Sequence, residues 1–169
     1  MIVDFHKTAD KYHRITRALI GEEKTVAAME SCTGGLVGVL LSDIDGASAV
    51  VPGGTFSYSN EEKIRNGVPE TVINRYGVYS AETARHMASA AREGHSSDIG
   101  IGITGSIGVA DPNNPDSVPG EVYIAMDVKG EMIIDRMLIL PLEIIDEGRM
   151  SARYYVADKV ADMMLTVVD

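Results

Sequence analysis

Between two apolar runs the chain carries Glu30-Ser31-Cys32-Thr33-Gly34-Gly35, and no other stretch constrains the fold as much. Residues 25–29 before it read as a buried strand, and residues 36–41 after it read as a helix. A polar, glycine-rich turn between a strand and a helix is where open α/β sheets collect chemistry. The helix N-terminus presents free N–H groups there, and glycine lets a ligand approach the backbone. This turn also carries small hydroxyls and a thiol, which makes it a candidate site.

The remainder alternates helix and strand. Phe5, Ala9, Tyr12, Thr16 and Leu19 recur at steps of three and four and predict an amphipathic first helix. Residues 53–58 read as a second strand, after which Asn60-Glu61-Glu62-Lys63 opens a short helical turn. Pro69 suits the first position of a helix over 69–76, and Gly77 stops it. Ser80 is the expected N-cap of a helix over 81–92, with Glu82 in its favourable first turn. Residues 98–103 form a third strand. Residues 121–128 and 131–140 form a fourth and a fifth, paired as an antiparallel hairpin through a turn at Lys129-Gly130. Strand–helix–strand units place the first three strands in parallel. From Glu147 onward Met150, Tyr154, Ala157 or Val160, and Met164 lie at helical spacing. Residues 106–120 make a Pro/Gly/Asn loop longer than most connections, and such loops commonly carry function. With no repeat, linker or low-complexity tract, residues 1–169 are expected to form one domain.

Composition removes several classes of function. An apolar content of 45% and a charged content of 24% are those of an ordinary soluble globular chain. No apolar run reaches the roughly 20 residues that span a bilayer, so no membrane partner is expected. Residues 1–11 mix Asp4, His6, Lys7 and Asp10, unlike a signal peptide. The one cysteine cannot form an internal disulfide, which fits a reducing, cytoplasmic setting. The net charge of −10 opposes nonspecific contact with nucleic acid. A small anionic ligand must then be met by local arginines or helix N-termini. One Cys and four scattered His offer no paired spacing of the zinc type, so no metal is expected.

Several further landmarks turn the pattern into a resemblance. Glu30-Ser31-Cys32-Thr33-Gly34-Gly35 is followed by Tyr58-Ser59-Asn60-Glu61-Glu62-Lys63, then Gly67-Val68-Pro69, then Gly77-Val78-Tyr79-Ser80. Thr104-Gly105 closes the third strand, Val118-Pro119-Gly120-Glu121-Val122 opens the fourth, and Arg149 and Arg153 begin the last helix. Together these resemble the CinA C-terminal domain family over essentially the whole chain from Thr8. The larger N-terminal domain of full-length members is not part of the match, so a stand-alone form is expected.

The resemblance implies a three-layer α/β/α domain with a mixed five-stranded sheet, order 2-1-3-4-5, strand four antiparallel to the others and helices on both faces. It also implies an amidohydrolase that converts nicotinamide mononucleotide to the acid and ammonia. No cofactor is implied. The expected partner is a small phosphorylated pyridine nucleotide, and the expected assembly a homo-oligomer.

That chemistry sets requirements against which the residues can be held. Amide hydrolysis without a metal needs an activated nucleophile, a base and donors for the oxyanion. His6, His13, His86 and His95 lie on helices or just after one, without motif context, and read as surface or half-buried side chains. A Ser–Lys pair is the remaining economical solution. Ser31 follows the first strand and Lys63 follows the second, so both reach the same sheet edge, with Tyr58 able to relay or hold a proton. Without the resemblance, Lys63 after two glutamates reads as a solvated surface lysine, and Ser31 reads equally well as a helix cap. Cys32 is the more nucleophilic group, but it lacks a partner His and reads as buried filler. Thr33, Gly34 and Gly35 can bind the substrate phosphate or form the oxyanion hole, and the sequence leaves that choice open. Thr104, Gly105 and Ser106 add donors at the same edge. Arg149 and Arg153 share a helical face by their i, i+4 spacing and can clamp a phosphate, or else answer Asp146 and Glu147 at the surface.

The chain departs from the family after Thr104-Gly105. Where members run Ile-Ala-Gly-Pro into a glycine-rich stretch, this chain has Ser106-Ile107-Gly108-Val109-Ala110-Asp111-Pro112-Asn113-Asn114-Pro115. That loop faces the substrate in the family. It keeps open a second reading, a non-catalytic nucleotide-binding or assembly protein on the same scaffold.

Overall fold

The computed structural model describes residues 3–129 and 133–168. Five strands form one sheet in the order β2-β1-β3-β4-β5. In chain order they are β1 (Val26–Glu30), β2 (Gly53–Phe56), β3 (Ile99–Gly105), β4 (Glu121–Val128) and β5 (Ile133–Ile139). β1 pairs in parallel with β2 and β3, while β4 runs antiparallel to both β3 and β5. The expected order and the reversed fourth strand are therefore present. The turn expected at Lys129-Gly130 falls partly outside the described residues, as do positions 131 and 132 of the expected fifth strand.

Side-chain alternation divides the sheet between two helical layers. Val26 and Ala28 of β1, Ile99, Ile101 and Ile103 of β3, and Val122, Ile124 and Met126 of β4 share one core. The α-helices α1 (Phe5–Glu22), α2 (Leu36–Leu41), α6 (Leu142–Glu147) and α7 (Arg149–Val168) supply the rest of that core. On the opposite face Ala27 and Met29 meet Ile73 of α4 (Glu70–Tyr76) and Met87 and Ala91 of α5 (Ala81–Gly94). α5 lies directly on β3 because the strand is glycine at alternate positions. A Cβ on Gly100 or Gly102 would overlap the α5 backbone at Ala88 and Ala84.

Element boundaries differ from the sequence reading where polar groups find buried partners. β1 continues through Glu30, which looks like part of the turn in sequence because it is charged. β3 continues through Thr104 and Gly105, held by pairing with Tyr123 and Val122. β2 stops at Phe56, ahead of Ser57 and Tyr58. The sequence reading contains no helix between the fifth strand and Glu147, yet α6 forms between Pro141 and Gly148. Ser80 caps α5 as expected, its hydroxyl accepting the N–H of Thr83 at 3.1 Å.

Candidate active site

The carboxyl ends of β1, β2 and β3 open into a cleft of about 740 Å³, the place where α/β sheets bind ligands. Ser31 follows β1 and lies in the cleft wall beside Cys32. After β2, Ser59 caps α3 (Asn60–Arg65) by accepting the N–H of Glu62 at 3.1 Å. This start sets Lys63 one turn into the helix with its side chain directed inward. Lys63 is 0% exposed.

Three contacts hold its amine. Nζ lies 3.1 Å from Ser31 Oγ, 2.9 Å from the Ser57 carbonyl and 3.4 Å from the Tyr58 carbonyl. As a neutral amine, Lys63 has two N–H groups for the carbonyls and one lone pair for the Ser31 hydroxyl. Burial lowers its pKa to about 8, against smaller upward pulls from Cys32 and Asp111. Spacing alone reads Lys63 as a surface lysine and the resemblance reads it as a base; the fold makes it a buried amine with a lowered pKa. Cys32 is also buried, and loss of hydration pushes its thiol up to about 12 despite nearby Lys63. At neutral pH Cys32 is a protonated thiol.

Glu30 has a role that the sequence reading missed. Its side chain shares the face of Val26 and Ala28, toward the α2 layer. One carboxylate oxygen accepts the N–H groups of Gly35 and Val37, each at 3.1 Å, and the other accepts Gly38 N–H at 2.7 Å. Gly34 N–H bonds the Ser31 carbonyl at 3.0 Å. The donors of Gly34 and Gly35 are therefore spent inside the protein, which corrects their expected use for phosphate or oxyanion. Both glycines have positive φ, 68° and 92°, so the turn needs them for its shape. An acidic residue continuing the apolar face of a strand into a glycine turn was the available signal.

The remaining expected residues separate into two groups. Gly105, Ser106, Tyr58 and Arg149 line the cleft with Ser31. Arg149 donates to the Tyr58 hydroxyl at 2.9 Å, so this phenol positions Arg149 while the Tyr58 carbonyl holds Lys63. Ser106 Oγ donates to the Val109 carbonyl at 2.8 Å and shapes the loop. Thr33, Thr104 and Arg153 lie outside the cleft wall. Thr104 donates to the Val78 carbonyl at 2.9 Å, tying β3 to the connection between α4 and α5. Arg153 donates to the Cys32 carbonyl at 3.2 Å. A Cβ on Gly34 would come within 3.1 Å of its guanidinium carbon, so Arg153 braces the turn from behind.

Tyr79 and Asp111 complete the wall, together with Asn60 and Asn114, whose amides meet at 2.9 Å. The four histidines lie outside this wall. His13 contacts Asp43, and His95 contacts the Ala91 carbonyl. Among the described residues no group of His, Cys, Asp and Glu could hold a metal ion. No described helix is long and apolar enough to cross a membrane.

Comparison with known proteins bears on the family and the fold. The model of the CinA C-terminal domain matches residues 8–164. A CinA-like protein of Gemmatimonas aurantiaca is 39% identical over 141 residues, covering 83% of this chain and 31% of that protein. A protein of Halothermothrix orenii named as competence-damage inducible is 44% identical over 110 residues, covering 64% of this chain and 26% of its own length. The chain thus spans a third or less of these curated relatives. Among solved structures, a competence/damage inducible protein from Agrobacterium tumefaciens superposes with a TM-score of 0.85 at 24% identity, covering 100% of this chain and 99% of that one. A CinA superfamily protein from Escherichia coli gives a TM-score of 0.76 at 21% identity, covering 95% and 93%. These two structures share the fold.

Proposed function

The chain belongs to the CinA C-terminal domain family, and from that premise we propose that it is an amidohydrolase that converts nicotinamide mononucleotide to nicotinate mononucleotide and ammonia by a Ser–Lys mechanism. The observation that carries the proposal is the buried Lys63 amine 3.1 Å from Ser31 Oγ, with its pKa lowered to about 8. A binding protein has no use for a lysine whose burial disfavours its charged form.

In the proposed reaction the neutral Lys63 amine takes the Ser31 proton as Oγ attacks the carboxamide carbon. The resulting ammonium then protonates the leaving nitrogen. The C–N bond breaks, ammonia departs, and the acyl group stays on Ser31. Water attacks the ester, Lys63 again accepting the proton, and the carboxylic acid leaves with Ser31 restored. Main-chain carbonyls of Ser57 and Tyr58 keep the lysine nitrogen facing Oγ, whether it holds the proton or the lone pair. Arg149, held by the Tyr58 phenol at the cleft wall, is the proposed contact for the substrate phosphate.

Ammonia release from nicotinamide mononucleotide by the wild type and by Ser31→Ala tests this reading. Turnover by the wild type that the variant lacks supports it. Absence of turnover in both, with the nucleotide still bound, replaces it with the binding-protein reading.

A further inference from the structure

The loop in which this chain departs from its family carries a carboxylate into the cleft. Asp111 is half-buried and shares the cleft wall with Ser31. Its Oδ2 accepts the Tyr79 hydroxyl at 2.7 Å and the Asn114 amide at 2.6 Å, and its Oδ1 accepts Asn113 N–H at 2.9 Å. The Asp111 main-chain N–H donates to Ser117 Oγ at 2.7 Å, which pins the backbone as well. These donors, Tyr79 first, hold the carboxyl below its ordinary pKa, so the group is ionised at neutral pH. A carboxylate has about four acceptor sites, and the three donors leave one of them for a ligand.

Charge in the cleft is consequently two-sided. Glu61 and Asp111 are negative, Arg149 is positive, and Lys63 must be neutral to act as base. Arg149 answers an anionic group on the substrate. The charge of Asp111 reaches Lys63, which stands beside Ser31, so an amide presented to Ser31 would lie within the same field.

We propose that Asp111 is a specificity-determining residue that selects carboxamides whose amide-bearing ring or chain carries a fixed positive charge, an N-substituted pyridinium being the type, over uncharged carboxamides of the same shape. The inference rests on the amidase reading and deepens it. The same carboxylate repels the acid as it forms and so favours its release.

Oxidised and reduced nicotinamide mononucleotide share amide, ribose and phosphate and differ in the charge of the ring. The experiment compares kcat/KM for the two forms in the wild type and in Asp111→Asn, which retains an acceptor for Tyr79. Asp111→Asn is expected to lower the oxidised-to-reduced ratio about tenfold, the effect of one charge pair at partly exposed range. An unchanged ratio, or equal loss on both forms, overturns the proposal. Dissociation constants for both forms with Ser31→Ala, Asp111 intact, give the preference without turnover and without depending on the Asn variant. Tighter binding of the cationic form supports the proposal even if the wild type hydrolyses neither, an outcome that would refute only the amidase reading. Equal affinity for the two forms, or binding of neither, overturns it.

Discussion

Lys63 Nζ lies 3.1 Å from Ser31 Oγ, and the carbonyls of Ser57 and Tyr58 occupy the other directions around the same nitrogen. The lysine is therefore directed at one hydroxyl, and that hydroxyl is the nucleophile candidate in the cleft.

Residues that act as one unit lose their function together. Ser31→Ala and Lys63→Met are each expected to lower kcat by about a thousandfold or more, with little further loss in the double variant. Cys32→Ala is expected to keep most of the activity, since its thiol is pushed up to about 12 by burial. Steady-state ammonia release by the wild type and the four variants checks this. Loss of activity on removing Cys32, with Ser31→Ala still active, would move the nucleophile to Cys32.

The lowered Lys63 pKa predicts the pH dependence of both rate and stability. Only the free amine is a base, so kcat/KM should rise with pH and level off above about 8. Between about 8 and 10.5 the unfolded chain still binds the Lys63 proton that the folded protein has released, so this group's contribution to stability rises with pH. Below about 8 the folded protein carries the full cost of the buried charge, about 3 kcal/mol. Urea midpoints of the wild type and Lys63→Met at pH 7.5 and pH 10 read this directly. The wild type should gain on the variant at the higher pH, and parallel midpoints would contradict the assignment.

Glu30 is expected to matter for the fold before the chemistry. Its carboxylate satisfies the N–H groups of Gly35, Val37 and Gly38, and Glu30→Ala would leave these buried or half-buried donors without that acceptor. The expected cost is about 3 kcal/mol, or a Tm lower by roughly 6–12 °C for a chain of this size. Glu30→Gln keeps one carbonyl acceptor and should fall between the two. A melting temperature unchanged in Glu30→Ala would show that water replaces the cap without loss.

Arg149 and Arg153 are expected to separate in a substrate comparison. Arg149→Ala should raise KM for nicotinamide mononucleotide by about 1.5–3 kcal/mol, the value of a charge-assisted hydrogen bond, and change the riboside little. Arg153→Ala should affect both substrates alike, since its guanidinium donates to the Cys32 carbonyl and lies on Gly34. Equal effects of Arg149→Ala on nucleotide and riboside would place its role in the wall, outside phosphate recognition.

Strand and helix positions were legible because they rest on local periodicity, and the hydrophobic runs of β1, β3 and β4 are long enough to show it. The parallel arrangement of the first three strands followed from their helical crossovers, whereas the full order came from family resemblance. The turn at residues 30–35 was recognisable as a candidate site, and the contact of Ser31 with Lys63 could be expected once the family motifs were seen together.

What the sequence by itself determined is which groups reach the carboxyl edge of the sheet, because chain connectivity carries each strand to that edge. Tertiary structure alone decided what each group does there. Helical spacing places Arg149 and Arg153 on one face, but the neighbours of each decide that one meets Tyr58 in the cleft and the other braces the turn. The helix N–H groups were visible as donors, yet only the folded chain shows that Glu30 has taken them. Spacing alone reads Lys63 as a surface cation, and in the fold it is a buried amine. Solvation and hydrogen-bond partners are set by residues distant along the chain, and these give a side chain its charge, direction and chemistry.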